Sequence, residues 1–167
     1  MRFYLVDRIR ELNPGKRIVA IKNLSLAEEY LADHFPMYPV LPGVMMLEAL
    51  VQTAAWLVYV ETDFARPLVL LKEARNVRYG NFLRPGEQME MEAEALEIGP
   101  ESSRFKVLGR WDDQTCVQAR IALEHLTIAQ EHPERADQDE VLREHLRQRF
   151  RLIGGPHALA AAGQAPA

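Results

Sequence analysis

Residues 34–48 constrain the fold of this chain more than any other stretch: His-Phe-Pro-Met-Tyr-Pro-Val-Leu-Pro-Gly-Val-Met-Met-Leu-Glu. Pro36, Pro39 and Pro42 each fix φ and push the preceding residue toward extended geometry. The backbone from Phe35 to Pro42 therefore cannot be helical and reads as a rigid, winding loop. A helical run starts at Gly43 and continues from Val44 to Val58. Apolar side chains surround it on nearly every side, so it belongs inside the protein. It is shorter than the roughly 20 residues of a membrane span, and Glu48 and Gln52 interrupt it, so no membrane role is expected.

The same stretch carries titratable groups in unusual places. The first N–H groups of a helix lack intrahelical partners and carry partial positive charge. Here they lie at Gly43 and Val44, where no glycine side chain shields them, and a polarised carbonyl could be received there. Glu48 lies five positions past Gly43 along the same helix. Burial there would favour its neutral, proton-donating form. Blander readings exist for both groups. His34 could be a satisfied structural histidine, and Glu48 could be half of a buried ion pair. A metal site is not expected, because no second His or Cys stands at ligand spacing near His34.

The block resembles the signature of the FabZ-type 3-hydroxyacyl-(acyl carrier protein) dehydratases, His-Phe-Pro-Gly-x-Pro-Val-x-Pro-Gly-Val-Leu-x-x-Glu-Ala-x-x-Gln. His34, Phe35, Pro36, Pro39, Val40, Pro42, Gly43, Val44, Glu48, Ala49 and Gln52 match it in register. Phe3–Arg8 and Pro14–Asn23 resemble the family's amino-terminal helix and first strand. Phe82–Met89 resembles a later Arg-Pro…Pro-Gly-Asp segment, and the likeness covers roughly residues 1–128. One departure lies in the motif, where Met37 stands in place of a family glycine. Met37 either strains a backbone that wants φ > 0 or narrows the acyl channel.

The resemblance implies an α+β hot-dog fold, a curved antiparallel sheet wrapped around a long apolar helix. It implies dehydration of a (3R)-hydroxyacyl chain on acyl carrier protein, with His34 as base, Glu48 as acid and the Gly43 amide as oxyanion donor. Val44, Val40, Met37 and Gln52 are expected beside the substrate. A base that titrates near neutrality and a protonated acid suit this chemistry, and donors at the helix start suit a developing enolate. The family places its His and Glu in opposite subunits, so a homodimer or a trimer of dimers is expected. No cofactor is expected. A hot-dog acyl thioesterase and a non-catalytic acyl-binding subunit are the alternatives.

The remaining sequence fits one domain with a sizeable core. The chain has 167 residues, 48% hydrophobic and 26% charged. A single cysteine, Cys116, permits no internal disulfide and fits a reducing cytoplasm. The apolar run near Met1 is too short for a signal peptide, so a cytoplasmic location is expected. Gln88–Ala95 alternates strictly, with Met89, Met91, Ala93 and Ala95 on one face and Glu90, Glu92 and Glu94 on the other. Arg104–Trp111 alternates next, and its Arg104 and Lys106 could pair across strands with those glutamates. Val117, Ala119, Ile121 and Leu123 make one more apolar face. A sheet layered on one apolar helix satisfies these patterns.

Residues 1–130 are thus expected to form the hot-dog domain. A polar carboxy-terminal extension follows at 131–153, with a helix from about Asp137 to Leu152 ended by Gly154-Gly155-Pro156. Residues 154–167 are expected to form a mobile tail. The net charge of −4 gives no reason to expect nucleic acid. Between Lys72 and Arg84 the cations Lys72, Arg75, Arg78 and Arg84 face Glu73 alone, a local excess of 4 − 1 = +3. Arg78 and Arg84 are the candidate contacts for an acidic carrier protein, against the plainer reading of a solvated face.

Overall fold

The computed structural model describes residues 3–163. Six strands form one antiparallel sheet: β1 (Arg8–Asn13), β2 (Arg17–Asn23), β3 (Leu68–Tyr79), β4 (Gln88–Ile98), β5 (Ser102–Trp111) and β6 (Gln114–Leu126). Their spatial order is β1-β2-β4-β5-β6-β3. One long helix, α1 (Gly43–Glu61), is inserted between β2 and β3 and packs against the sheet. This is the hot-dog arrangement.

The alternation in the strands sets which face meets the helix. Met89, Met91 and Ala93 of β4 are fully buried, as are Phe105 and Val107 of β5 and Val117, Ile121 and Leu123 of β6. Register shifts interrupt the pairing in β1, β3, β4 and β5. Such irregularities bend and twist strands, which suits a sheet that curves around a helix. The shift after Ala95 also ends the strict alternation of β4, leaving Leu96 exposed. On the outer face Glu92 pairs with Arg17 at 3.1 Å, Arg104 pairs with Glu97, and Lys106 lies opposite Glu94 in register.

α1 is three residues longer than the sequence predicts. That extra length gives it the size and composition of a membrane-spanning helix. It is nevertheless a core helix, because Met46, Ala49, Leu50, Val51 and the run Thr53–Val58 are buried, largely against the sheet. Burying a side chain such as Leu50 or Leu57 contributes about 2–3 kcal/mol. Val44 is exposed, and Met45, Leu47, Glu48 and Gln52 are half-buried. Part of the helix surface therefore stays free of the sheet.

Two expectations about the ends of the chain are corrected. Phe3–Asp7 forms no helix and is held along α1 by Gln52. Nor is the segment after Gly154 a loose tail. α3 (Asp137–Leu152) follows the short helix α2 (Ile128–Glu131) and ends where predicted. The chain then turns at Gly154, with φ +81°, and forms a further helix, α4 (Gly155–Ala162), against β1. The buried Gly155 and Ala158 explain that packing, since a Cβ on Gly155 would overlap the Phe150 ring. Residues 164–167 lie outside the described residues.

Candidate active site

The proline-braced turn is built by short-range backbone bonds. Phe35 and Tyr38 exchange N–H···O bonds of 3.3 and 2.9 Å, and the Val40 N–H donates to the His34 carbonyl at 3.1 Å. Leu41 N–H then donates to the Leu83 carbonyl at 2.9 Å, pinning the turn to the segment before β4. Val40 and Leu41 are buried, which anchors the loop in the core. The His34 ring stacks on Phe35 at 4.3 Å. Its Nδ1 is buried and has no hydrogen-bond partner among the described residues.

The start of α1 is open in the way the sequence suggests. Pro42 occupies the N-cap and no side chain caps the helix. The N–H groups of Gly43 and Val44 make no hydrogen bond among the described residues. Gly43 is required there by close approach, because a Cβ would lie 3.0 Å from the Tyr79 ring. Tyr79, at the end of β3, thus stands over the helix start. No local sequence pattern singled it out.

Glu48 is half-buried rather than enclosed. Its Oε1 accepts a hydrogen bond from Gln52 Nε2 at 2.9 Å. Gln52 Nε2 also donates to the Phe3 carbonyl at 3.0 Å, and Gln52 Oε1 accepts from the Leu5 N–H at 3.0 Å. Both amide hydrogens of Gln52 are therefore engaged by protein groups, one of them by the Glu48 carboxyl. Val51, Ala55, Trp56 and Tyr59 continue the same helix stripe and floor a groove of about 250 Å³ that begins at Glu48. Burial pushes the Tyr59 phenol up to about 12, opposed by a hydrogen bond with the Val69 backbone and assisted by the charge of Glu48. Tyr59 thus lines the groove as a neutral phenol.

Within one chain His34 does not line the groove that holds Glu48. Met37 is 95% exposed, so inside a single chain it narrows no channel. Phe35, Tyr38, Val44, Tyr79 and Phe82 are also exposed. The residues around the turn thus form an apolar surface of the kind that marks contact with another molecule. Of the four cations in the basic segment, Lys72 pairs with Glu124 at 3.4 Å and Arg75 with Glu73 at 2.8 Å. Arg78 and Arg84 have no carboxylate within salt-bridge distance among the described residues, and the Arg84 guanidinium lies 5.2 Å from the Tyr38 ring centre.

The FabA-like domain model matches residues 1–124, which takes in the turn, α1 and the whole sheet except the end of β6. This chain belongs to the FabA-like family. Among its relatives, the FabA-like protein is 42% identical over 120 residues to the 3-hydroxyacyl-[acyl-carrier-protein] dehydratase FabZ of Ralstonia nicotianae, covering 70% of this chain and 73% of that one. It is 36% identical over 119 residues to the FabZ of Ruminiclostridium cellulolyticum, covering 71% and 84%. Solved structures share the fold at low identity. A dehydratase heterocomplex from Xenorhabdus doucetiae superposes with a TM-score of 0.61 at 16% identity, over 73% of this chain and 82% of that one. A thioesterase from Pseudomonas aeruginosa superposes at 0.55 and 18% identity, over 71% and 81%.

Proposed function

We propose that this FabA-like protein dehydrates (3R)-hydroxyacyl chains carried on acyl carrier protein to the trans-2-enoyl form. One observation carries the reading: His34, with an unpartnered ring nitrogen, closes the turn that delivers the chain to unpaired N–H groups at the start of the helix bearing Glu48. The FabZ relatives bear the name 3-hydroxyacyl-[acyl-carrier-protein] dehydratase, which supports the reading.

The chemistry follows from those groups. His34 removes the α-proton of the 3-hydroxyacyl thioester. The negative charge that develops on the thioester oxygen is received by the Gly43 amide, with Val44 beside it. Glu48 delivers a proton to the departing hydroxyl, which leaves as water. The Cα–Cβ double bond forms as the C–O bond breaks; His34 then gives its proton to solvent and Glu48 takes one up, restoring both groups. Gln52 holds the Glu48 carboxyl in place, and buried Val40 holds the turn.

The site is completed by a second copy of the chain, with His34 of one protomer facing Glu48 of the other. The exposed residues around the turn support this, as does β3, an edge strand of 12 residues with Leu70, Leu71 and Tyr79 exposed. An uncovered edge of that length invites pairing. Met37 then lies on the surface between copies. Arg78 and Arg84, unpaired and exposed, receive the acidic carrier, and the reaction takes place in the cytoplasm.

The test is an assay of 3-hydroxyacyl thioesters of several chain lengths, followed at the enoyl absorbance. Turnover that is abolished in a folded His34→Ala variant supports the reading. Release of free thiol without enoyl product would replace it with a thioesterase.

A further inference from the structure

The matched family segment ends at residue 124, whereas α3 begins at Asp137. α3 is nonetheless fixed at both ends, to the short helix α2 near its start and to the family core near its finish. The buried carboxylate of Asp139 accepts hydrogen bonds from the Ile128 and Ala129 N–H groups at 2.7 and 3.0 Å. Phe150 packs 5.9 Å from Trp56 and 5.8 Å from Phe64. Just past the helix, the Ile153 carbonyl accepts from the Ile9 N–H at 2.8 Å.

Between these anchors His145, Leu146 and Arg149 turn toward the groove that starts at Glu48. The Tyr4 hydroxyl hydrogen-bonds His145 Nε2 at 3.1 Å, and the Arg149 guanidinium lies 4.2 Å over the Tyr4 ring. The amino-terminal segment, itself held by Gln52, is thereby clasped between α1 and α3. One side of the groove is made of residues that lie beyond the matched family domain.

We propose that α3 is the specificity wall of the acyl site, with Leu146 and Arg149 limiting the chain that lies along α1 beyond Glu48. This rests on the reading that Glu48 acts on an acyl thioester. The floor runs eleven residues from Glu48 to Tyr59, about 16 Å at the rise of an α-helix. The groove holds about 250 Å³, room for about eight water-sized groups. That suits a medium-length acyl chain rather than a long one. Leu146, half-buried, is the one aliphatic side chain that α3 gives to the groove. Arg149 also lines the groove, its guanidinium held over the Tyr4 ring and donating to the Val6 carbonyl at 3.5 Å.

The test measures binding of non-hydrolysable 3-hydroxyacyl pantetheine amides with four, eight and twelve carbons to the full-length chain. Trp56 on the groove floor provides the fluorescence signal. The quantity read is the ratio of twelve-carbon to four-carbon affinity, which is insensitive to the fraction of folded protein. Leu146→Ala should raise that ratio about tenfold, and Leu146→Trp should lower it by a similar factor, the scale expected for a few methylenes in an apolar site. The same ratio in wild type and both variants overturns the proposal, and so does the absence of measurable binding. Dehydration of the matching thioesters, assayed in parallel, separates the two claims. Shifted ratios without turnover by any variant remove the dehydratase reading and leave the wall standing. Turnover with unshifted ratios does the reverse.

Discussion

Gln52 donates its side-chain amide to Glu48 at 2.9 Å, one helical turn away, while the same amide bonds the backbone of Phe3 and Leu5 at 3.0 Å each. One side chain therefore ties the position of the candidate acid to the docking of the amino-terminal segment. Replacing Gln52 by Leu should reduce kcat about a hundredfold through misplacement of Glu48. It should also cost about 1–3 kcal/mol of stability, as donors and acceptors lose partners. Steady-state kinetics and urea unfolding on the same sample check both. A variant with lower stability and an unchanged rate would detach Gln52 from the chemistry.

Glu48→Gln separates the acid from its scaffold. The amide keeps the volume and can still bond Gln52, so stability should stay within about 0.5 kcal/mol of wild type. The rate should fall by about 10²–10⁴, the usual contribution of a general acid. An unaffected rate would remove Glu48 from the proton transfer.

Gly43→Ala tests the open helix start. Its Cβ would press on the Tyr79 ring at 3.0 Å, crowding the amides assigned to the oxyanion. Activity should fall more than stability. Truncating Tyr79 to Ala in the same chain should recover part of the loss, with a coupling energy of about 1 kcal/mol or more. Additive effects of the two substitutions would show that the ring and the glycine do not interact.

His125 predicts a pH dependence that the active site does not share. It is fully buried, Nε2 lies 2.8 Å from the Ser103 hydroxyl, and Nδ1 has no partner among the described residues. Burial, assisted by the charge of Arg66, lowers the imidazole below its ordinary value. Protons therefore bind the unfolded chain more readily than the folded one. The associated stability is fully present above the ordinary value of about 6.5 and is lost as pH falls toward the folded value. Thermal unfolding across pH 5–8 should show this decline in wild type and a flatter profile in His125→Gln. Parallel profiles would place the titration elsewhere.

Much of this architecture is legible in the sequence because it is periodic. The alternation of Met89, Met91 and Ala93 gives β4 its inner face, and the recurrence of Val141, Leu142, Leu146, Phe150 and Ile153 marks the α3 helix, although Val141 itself faces outward. The turn at residues 34–42 is legible because proline restricts its neighbours regardless of context. What the sequence hides depends on distant partners. Phe3–Asp7 is held as a non-helical segment by Gln52, some fifty residues away. α4 forms because Gly155 and Ala158 are small enough to pack closely beneath it. Tyr79 over Gly43 and Arg149 over Tyr4 are also long-range contacts without a local signature. The burial expected for Glu48 is incomplete in one chain, and Met37 is exposed rather than set in a channel.

The most direct test of the account is a mixture of two inactive variants, His34→Ala and Glu48→Gln, under conditions where mass spectrometry verifies subunit exchange. If each site takes its His from one protomer and its Glu from the other, half of the dimers are mixed and each has one intact site. Activity should then recover to about a quarter of wild type for a symmetric pair. No recovery despite proven exchange, with wild type active in the same assay, would contradict a site shared between two chains.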